Sequence, residues 1–214
     1  MNKSTITMDM VKTESRIVER LKPDYITHVK ELIQEELNKP LNVKVKYHDT
    51  SMPKLEKIKK GNWVDCRVVE GGKITFDIGT EYERKESLNW EEKLKEDGSK
   101  TKVLKYHKGD FMMLCLGISL NQGEGYEVNL VPRSSTFKNY HIIQTNHFGV
   151  GDDTFVGNGD IYHFPCYALA DGEIEIYDRV CQMKVNKAMS DINFNETDDM
   201  EAEDRNGFGS TGVK

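Results

Sequence analysis

The chain has 214 residues and a formal net charge of −6. That length suits one domain with appendages, and a net acidic chain implies no nucleic-acid partner. No apolar run approaches the ~20 residues of a membrane-spanning helix and no secretory signal opens the sequence, so a cytoplasmic protein with no membrane partner is expected. Cys66, Cys115, Cys166 and Cys181 show no CxxC spacing and read as small buried apolar residues in a reducing compartment, not as disulfides or a zinc site. The histidines show no HExxH pattern, which argues against a histidine-ligated metal.

In chain order, residues 1–40 form a separate helical extension. Pro23 divides it, Asp24 can cap a helix beginning there, and Ile26, Val29, Leu32, Ile33 and Leu37 recur at helical spacing. An amphipathic helix is expected from about Asp24 to Asn38. Packing on its own domain is preferred to a role as a partner-binding arm. From Leu41 the period changes to two: Leu41, Val43, Val45 and Tyr47 alternate with polar residues, as in a half-buried strand. Lys54 to Lys60 reads as a solvated loop. Val64, Cys66 and Val68 then alternate with Asp65 and Arg67, and Gly71-Gly72 makes a tight turn.

Residues 81–102 are almost all charged or polar, and read as an insertion between two core strands, with a short helix around Asn89 to Glu96. Strands are expected at Val103–Tyr106, Phe111–Ser119, Tyr126–Val131, Ile161–Ala168, Glu173–Tyr177 and Val180–Val185. Short strands separated by Gly, Asp and Asn turns make residues 41–185 an all-β core, a barrel or jelly roll. Residues 186–214 are acidic and poor in apolar residues, the composition of a flexible arm. That arm nevertheless ends with Arg205, Phe208 and three glycines, which suits a tail that closes over a ligand.

The stretch from Gly125 to Gly157 organises the rest. Val128, Leu130 and Pro132 lie on one side of an extended segment, with Glu127, Asn129 and Val131 on the other. Pro132 ends the strand because it has no N–H for a ladder. Arg133, Ser134 and Ser135 come next at the strand end, where a fork of N–H donors and two hydroxyls can meet phosphate oxygens. After a short connection comes the acidic turn GVGDD, Gly149 to Asp153. Donors for an anion and a carboxylate for a metal or a water are what a nucleotide phosphate needs.

Five segments stand in order along the chain: GNWVDCR (Gly61 to Arg67), VPRSS (Val131 to Ser135), NHFGVGDDTFVG (Asn146 to Gly157), DRVCQ (Asp178 to Gln182) and DRNGFGSTG (Asp204 to Gly212). This order resembles the trimeric dUTPase family, and most of all its Firmicutes and phage members. The resemblance covers roughly Val43 to Val185 and the tail. It implies a jelly-roll-like β-barrel that hydrolyses dUTP to dUMP and pyrophosphate, with Mg2+ as cofactor. It also implies a homotrimer whose active sites are shared between subunits.

Residue by residue, the resemblance makes Asp152 the general base and Asp65 the residue that holds Mg2+ through water. Arg133, Ser134, Ser135, Gln182, Arg205, Ser210 and Thr211 fall at phosphate-contacting positions. Asn146 and Gly149 belong to a uracil-reading hairpin, Tyr140 to Val150. Phe155 stands where the family usually has a tyrosine beneath the deoxyribose, and its ring excludes a 2′-hydroxyl. Phe208, followed by Gly209, stacks on the uracil. Two departures stand out. The first motif reads Asn-Trp-Val-Asp-Cys instead of Ala-Gly-Tyr-Asp-Leu. Gly151 replaces the branched residue before the base, which loosens the backbone and leaves Asp153 as an alternative, although the frame favours Asp152. Three other readings are a dCTP deaminase-related enzyme, a nucleotide-dependent binding protein that controls a regulatory partner, and a structural trimer that has lost catalysis through Gly151.

Overall fold

The computed structural model describes residues 23–57 and 60–204. Backbone packing divides the chain into two units, Met1–Lys44 and Val45–Lys214. In the first, helix α1 spans Pro23–Asn38, within a residue of the expected start. Ile26 and Val29 are half-buried on it, whereas Tyr25, Leu32 and Ile33 are exposed. No described helix is long and apolar enough to cross a membrane.

The second unit is the all-β, jelly-roll-like core. Its strands are β1 (Lys44–Tyr47), β2 (Val64–Arg67), β3 (Gly72–Phe76), β4 (Arg84–Ser87), β5 (Trp90–Leu94), β6 (Lys100–Tyr106), β7 (Phe111–Cys115), β8 (Ile118–Asn121) and β9 (Tyr126–Pro132). A short helix α2 (Thr136–Tyr140) precedes β10 (Ile142–Gln144), β11 (Gly149–Gly151), β12 (His163–Ala168), β13 (Gly172–Glu175) and β14 (Arg179–Lys187). Five strands lie in the order β10-β12-β7-β3-β4, four in the order β11-β9-β14-β2 and three in the order β13-β6-β5, while β1 pairs with β8. Strands adjacent in sequence repeatedly fall in different sheets.

Period-two patterning explains which side chains form the core. Along β12, Phe164, Cys166 and Ala168 are buried while His163, Pro165 and Tyr167 are half-buried, as a pleated strand with one inward face requires. Leu104, Met112, Leu114, Leu116, Ile118, Leu120 and Val180 complete the interior, each worth roughly 1.5–3 kcal/mol when withdrawn from water. All four cysteines are free and buried.

Several local expectations are corrected. Asn89 to Glu96 is not helical: Trp90 to Leu94 is strand β5, paired with β6 from Leu104 to Lys100. Its Glu and Lys residues favour helix by themselves, but cross-strand pairing satisfies the backbone and puts Glu91 against Lys105 at 2.8 Å and Glu92 against Lys100 at 3.0 Å. The expected strand Phe111–Ser119 is broken into β7 and β8 at Gly117, which has φ +63°. Gly71-Gly72 is not a hairpin turn, because β2 and β3 belong to different sheets. Gly72 is instead a close approach, since a Cβ there would stand 2.2 Å from the Met113 carbonyl oxygen.

Candidate functional site

The site residues separate into two clusters on one chain. The first is built where β2, β9 and β14 lie side by side. Gln182 on β14 is directly opposite Asp65 on β2 and Val131 on β9. The Pro132 carbonyl accepts a hydrogen bond from Gln182 Nε2 at 3.2 Å. Just past β9, the Arg133 amide donates to Thr136 Oγ1 at 2.9 Å, and that hydroxyl donates to the Val180 carbonyl at 2.7 Å. The arginine turn is thereby tied to β14. Ser134 is exposed and Ser135 half-buried in this turn.

Asp65 is the electrostatic centre of the cluster. Arg133 Nε meets its Oδ1 at 2.8 Å and Arg179 Nη1 meets its Oδ2 at 3.0 Å. Arg133 Nη1 also donates to the Arg179 carbonyl at 3.3 Å. The Asp65 side chain is only 13% exposed, so this is a charge-assisted network at the wall of the barrel. Asp65, Arg67 and Arg179 border an open cavity together with Lys54 and Glu56. Arg179 stands within the DRVCQ segment, but the motif by itself gives it no role. Its position three residues before Gln182 was the available signal.

The second cluster lies around β11. Asn146, Gly149, Val150 and Phe155 line a cavity of about 250 Å³ with Met113, Tyr162 and His163. The expected hairpin from Tyr140 to Val150 is corrected: its two arms join different sheets, β10 with β12 and β11 with β9. Gln144 reaches between them, its Nε2 donating to the Leu130 carbonyl at 3.1 Å and to Asn146 Oδ1 at 2.7 Å. Gly149 fits against Leu130, where an added Cβ would meet the Leu130 Cβ at 3.1 Å.

Asp152 is exposed at the end of β11. Its Oδ1 accepts from the Thr154 hydroxyl at 2.6 Å, the Thr154 amide at 2.9 Å and the Phe155 amide at 3.2 Å. The Thr154 hydroxyl, foremost, holds this carboxyl below the usual range, with the two amides adding and burial opposing. Behind it, buried Gln122 donates from Nε2 to the Asp152 carbonyl at 2.8 Å and to the Tyr126 carbonyl at 3.3 Å. Gln122, Gln144, Thr154 and Tyr162 do not stand out in the sequence, because their contacts to the site join segments distant along the chain or are ordinary turn chemistry.

Gly151 directly precedes Asp152. It is buried within β11, and the Tyr162 ring fills the space a side chain would take.

The two clusters do not meet within one chain. Asp152 comes after Gly151, opposite Val128, whereas Arg133 comes after Pro132 at the other end of β9. Val128 and Pro132 are separated by roughly 13 Å of extended strand. Strands β11 and β2 are the opposite edges of their sheet, roughly 14 Å apart across two intervening strands. Arg205, Phe208, Gly209, Ser210 and Thr211 lie outside the described residues.

No protein-family model matches the chain. It is 34% identical over 174 residues, 81% of this chain and 100% of the relative, to the SPbeta prophage-derived deoxyuridine 5′-triphosphate nucleotidohydrolase of Bacillus subtilis. It is also 36% identical over 104 residues, 47% of this chain and 70% of the relative, to the deoxyuridine 5′-triphosphate nucleotidohydrolase of Finegoldia magna. Among solved structures, a variant of the Staphylococcus bacteriophage 80alpha dUTPase with dUpNHpp aligns with TM-score 0.55 at 14% identity, covering 80% of this chain and 99% of that one. A dUTPase variant from phage phi11 of S. aureus, described with a structural Mg(II) ion, aligns with TM-score 0.52 at 10% identity, covering 75% and 99%. At those identities the likeness carries the fold alone.

Proposed function

The chain belongs to the deoxyuridine 5′-triphosphate nucleotidohydrolase (dUTPase) family, and on that premise we propose that it hydrolyses dUTP to dUMP and pyrophosphate. The observation that carries the reading is the exposed Asp152 carboxylate beside a nucleoside-sized cavity lined by Asn146, Gly149 and Phe155. Three donors hold Oδ1, which leaves Oδ2 to orient a water. That water attacks the α-phosphorus and gives a proton to Asp152. The bond from the α-phosphorus to the bridging oxygen breaks, and pyrophosphate leaves with the electron pair. Because the triphosphate repels the nucleophile, charge neutralisation and positioning supply most of the acceleration.

Arg133, Ser134, Ser135 and Gln182 bind the phosphates, with guanidinium, hydroxyl and amide donors. Gln182 contributes an N–H donor without adding charge. Asn146 and the backbone at Gly149 read uracil; fixed groups that pair with its N3–H and O4 reject cytosine, whose pattern is reversed. Phe155 lies beneath the deoxyribose and leaves no room for a 2′-hydroxyl.

We propose that each site is shared between subunits of a homotrimer. The separation of Asp152 from Arg133 along β9 supports this, because within one chain the base and the phosphate-binding turn leave the sheet at opposite ends of that strand. Asp65 also suits Mg2+ reached through water. Among the described residues no group of three or more His, Cys, Asp or Glu side chains could hold a metal, and both Asp65 oxygens already meet guanidinium groups. Asp65 would therefore hold Mg2+ only through the ion's own water, with substrate phosphates as its direct ligands. When bound, Mg2+ supplies neutralisation of the triphosphate charge.

The test is pyrophosphate release from dUTP, dCTP and UTP, with binding of each measured alongside. Turnover of dUTP alone is expected. Deamination of dCTP, or tight dUTP binding without pyrophosphate, would sink the reading.

A further inference from the structure

Tyr162 joins the site from a different part of the fold. Its amide donates to the Ile118 carbonyl at 2.9 Å and its carbonyl accepts from the Leu116 amide at 3.0 Å, which delivers the ring from the junction of β7 and β8. The residue is 6% exposed and lines the cavity that also holds Asn146, Gly149 and Phe155. Its ring meets the Phe155 ring edge-on, with centroids 5.1 Å apart and planes at 90°, the favourable T-shaped geometry.

The same ring explains Gly151. A Cβ on Gly151 would lie 2.1 Å from the Tyr162 phenol oxygen, 2.7 Å from Cζ and 2.8 Å from Cε1. Glycine is therefore required there by volume. The Tyr162 hydroxyl is enclosed and has no hydrogen-bond partner among the described residues, so a phenylalanine there would lose no hydrogen bond, and ring carbons would still stand 2.7 and 2.8 Å from a Gly151 Cβ. What remains is the ring, wedged between β11, which leads into Asp152, and the ring of Phe155.

We infer that Tyr162 is a specificity-determining positioning residue: its ring occupies the side-chain space of residue 151 and sets the pose of Phe155, and hence which pentose the cavity accepts. This rests on the dUTP reading. Phe155 can exclude a 2′-hydroxyl only if it is held against the sugar, and in this chain the brace comes from Tyr162 through the notch that Gly151 leaves.

The experiment compares kcat/KM for UTP and dUTP in the natural chain, Phe155→Ala, Tyr162→Phe, Tyr162→Val, Gly151→Ala and the double variant Gly151→Ala/Tyr162→Val. Phe155→Ala sets the scale, by raising the UTP-to-dUTP ratio about tenfold or more. Tyr162→Val should raise the ratio in the same direction. Tyr162→Phe should keep it within about twofold, because the ring is retained. Gly151→Ala should mimic Tyr162→Val, since its Cβ displaces the ring, and should add little once Tyr162 is already valine. If Tyr162→Val and Gly151→Ala slow both substrates equally and leave the ratio unchanged, Tyr162 is only structural and the inference is overturned. If Tyr162→Phe shifts the ratio as far as Tyr162→Val does, the hydroxyl is the operative group and the ring-brace account fails. Should Tyr162→Val not fold, Gly151→Ala and Tyr162→Phe still decide between these outcomes. A natural chain inert toward dUTP fails the underlying reading; an active chain with an unmoved ratio fails this inference alone.

Discussion

Arg133 Nε stands 2.8 Å from Asp65 Oδ1, so the arginine assigned to phosphate is held by a carboxylate of its own chain. On the proposed assignment, phosphate would approach a guanidinium whose Nε already meets a carboxylate, with Arg179 on the other Asp65 oxygen. Asp65→Asn should leave two guanidinium groups facing each other without a counter-charge. A loss of about 1–3 kcal/mol is expected from the charged hydrogen bonds, and a smaller loss at high salt, where repulsion is screened. Denaturant melts at two ionic strengths check this; an unchanged midpoint at low salt would mean that the triad contributes nothing.

Asp152→Asn should keep dUTP binding and lose roughly 10²- to 10⁴-fold in kcat, because an amide cannot take the proton. Asp153→Asn should retain turnover. Single-turnover kinetics with binding measured alongside separates the two. The reverse pattern would assign the base to Asp153.

The acid limb of the pH profile should move with Thr154. The Thr154 hydroxyl is the largest cause of the lowered Asp152 pKa, and as the proposed base Asp152 would have to be ionised. In the natural chain kcat/KM therefore falls only as pH drops through that lowered value. Thr154→Val removes the donor at 2.6 Å and lets the pKa rise toward its ordinary value. The acid limb should shift to higher pH, with the plateau less affected. A limb that does not move would show that another group controls it.

If sites are shared between subunits as proposed, two dead variants should complement each other. Asp152→Asn and Arg133→Ala remove groups that leave the sheet at opposite ends of β9. If the two groups at one site come from different subunits, a cyclic trimer of either mixed composition holds one intact site. With random exchange at equal amounts, about three quarters of trimers are mixed and about a quarter of sites work. Refolding the two variants together should restore activity that neither has alone. A mixture that stays dead, although mass analysis finds mixed trimers, would place both groups at one subunit's own site.

The cysteines illustrate how far composition reaches. The absence of metal or redox spacing marked them as interior residues, and all four are buried and free. Burial pushes the Cys115, Cys166 and Cys181 thiols up. By itself the sequence determined what depends on local order. Alternation along β1, β2 and β9 marked strands, Pro132 marked the end of β9, helical spacing marked α1, and five ordered motifs marked the family. Each is legible because a strand's two faces, a missing N–H and a helix's apolar stripe are written in neighbouring residues. Tertiary structure decided the rest. Residues 90–94 carry helix-favouring charges, yet they form a strand because β6 offers a partner. Asp65 meets Arg133 and Arg179 only because β2, β14 and β9 lie side by side. Gly151 reads as slack until the Tyr162 ring is placed in its notch. Those contacts join residues far apart in sequence, and they depend on which strands become neighbours, an order that neighbouring residues do not spell out.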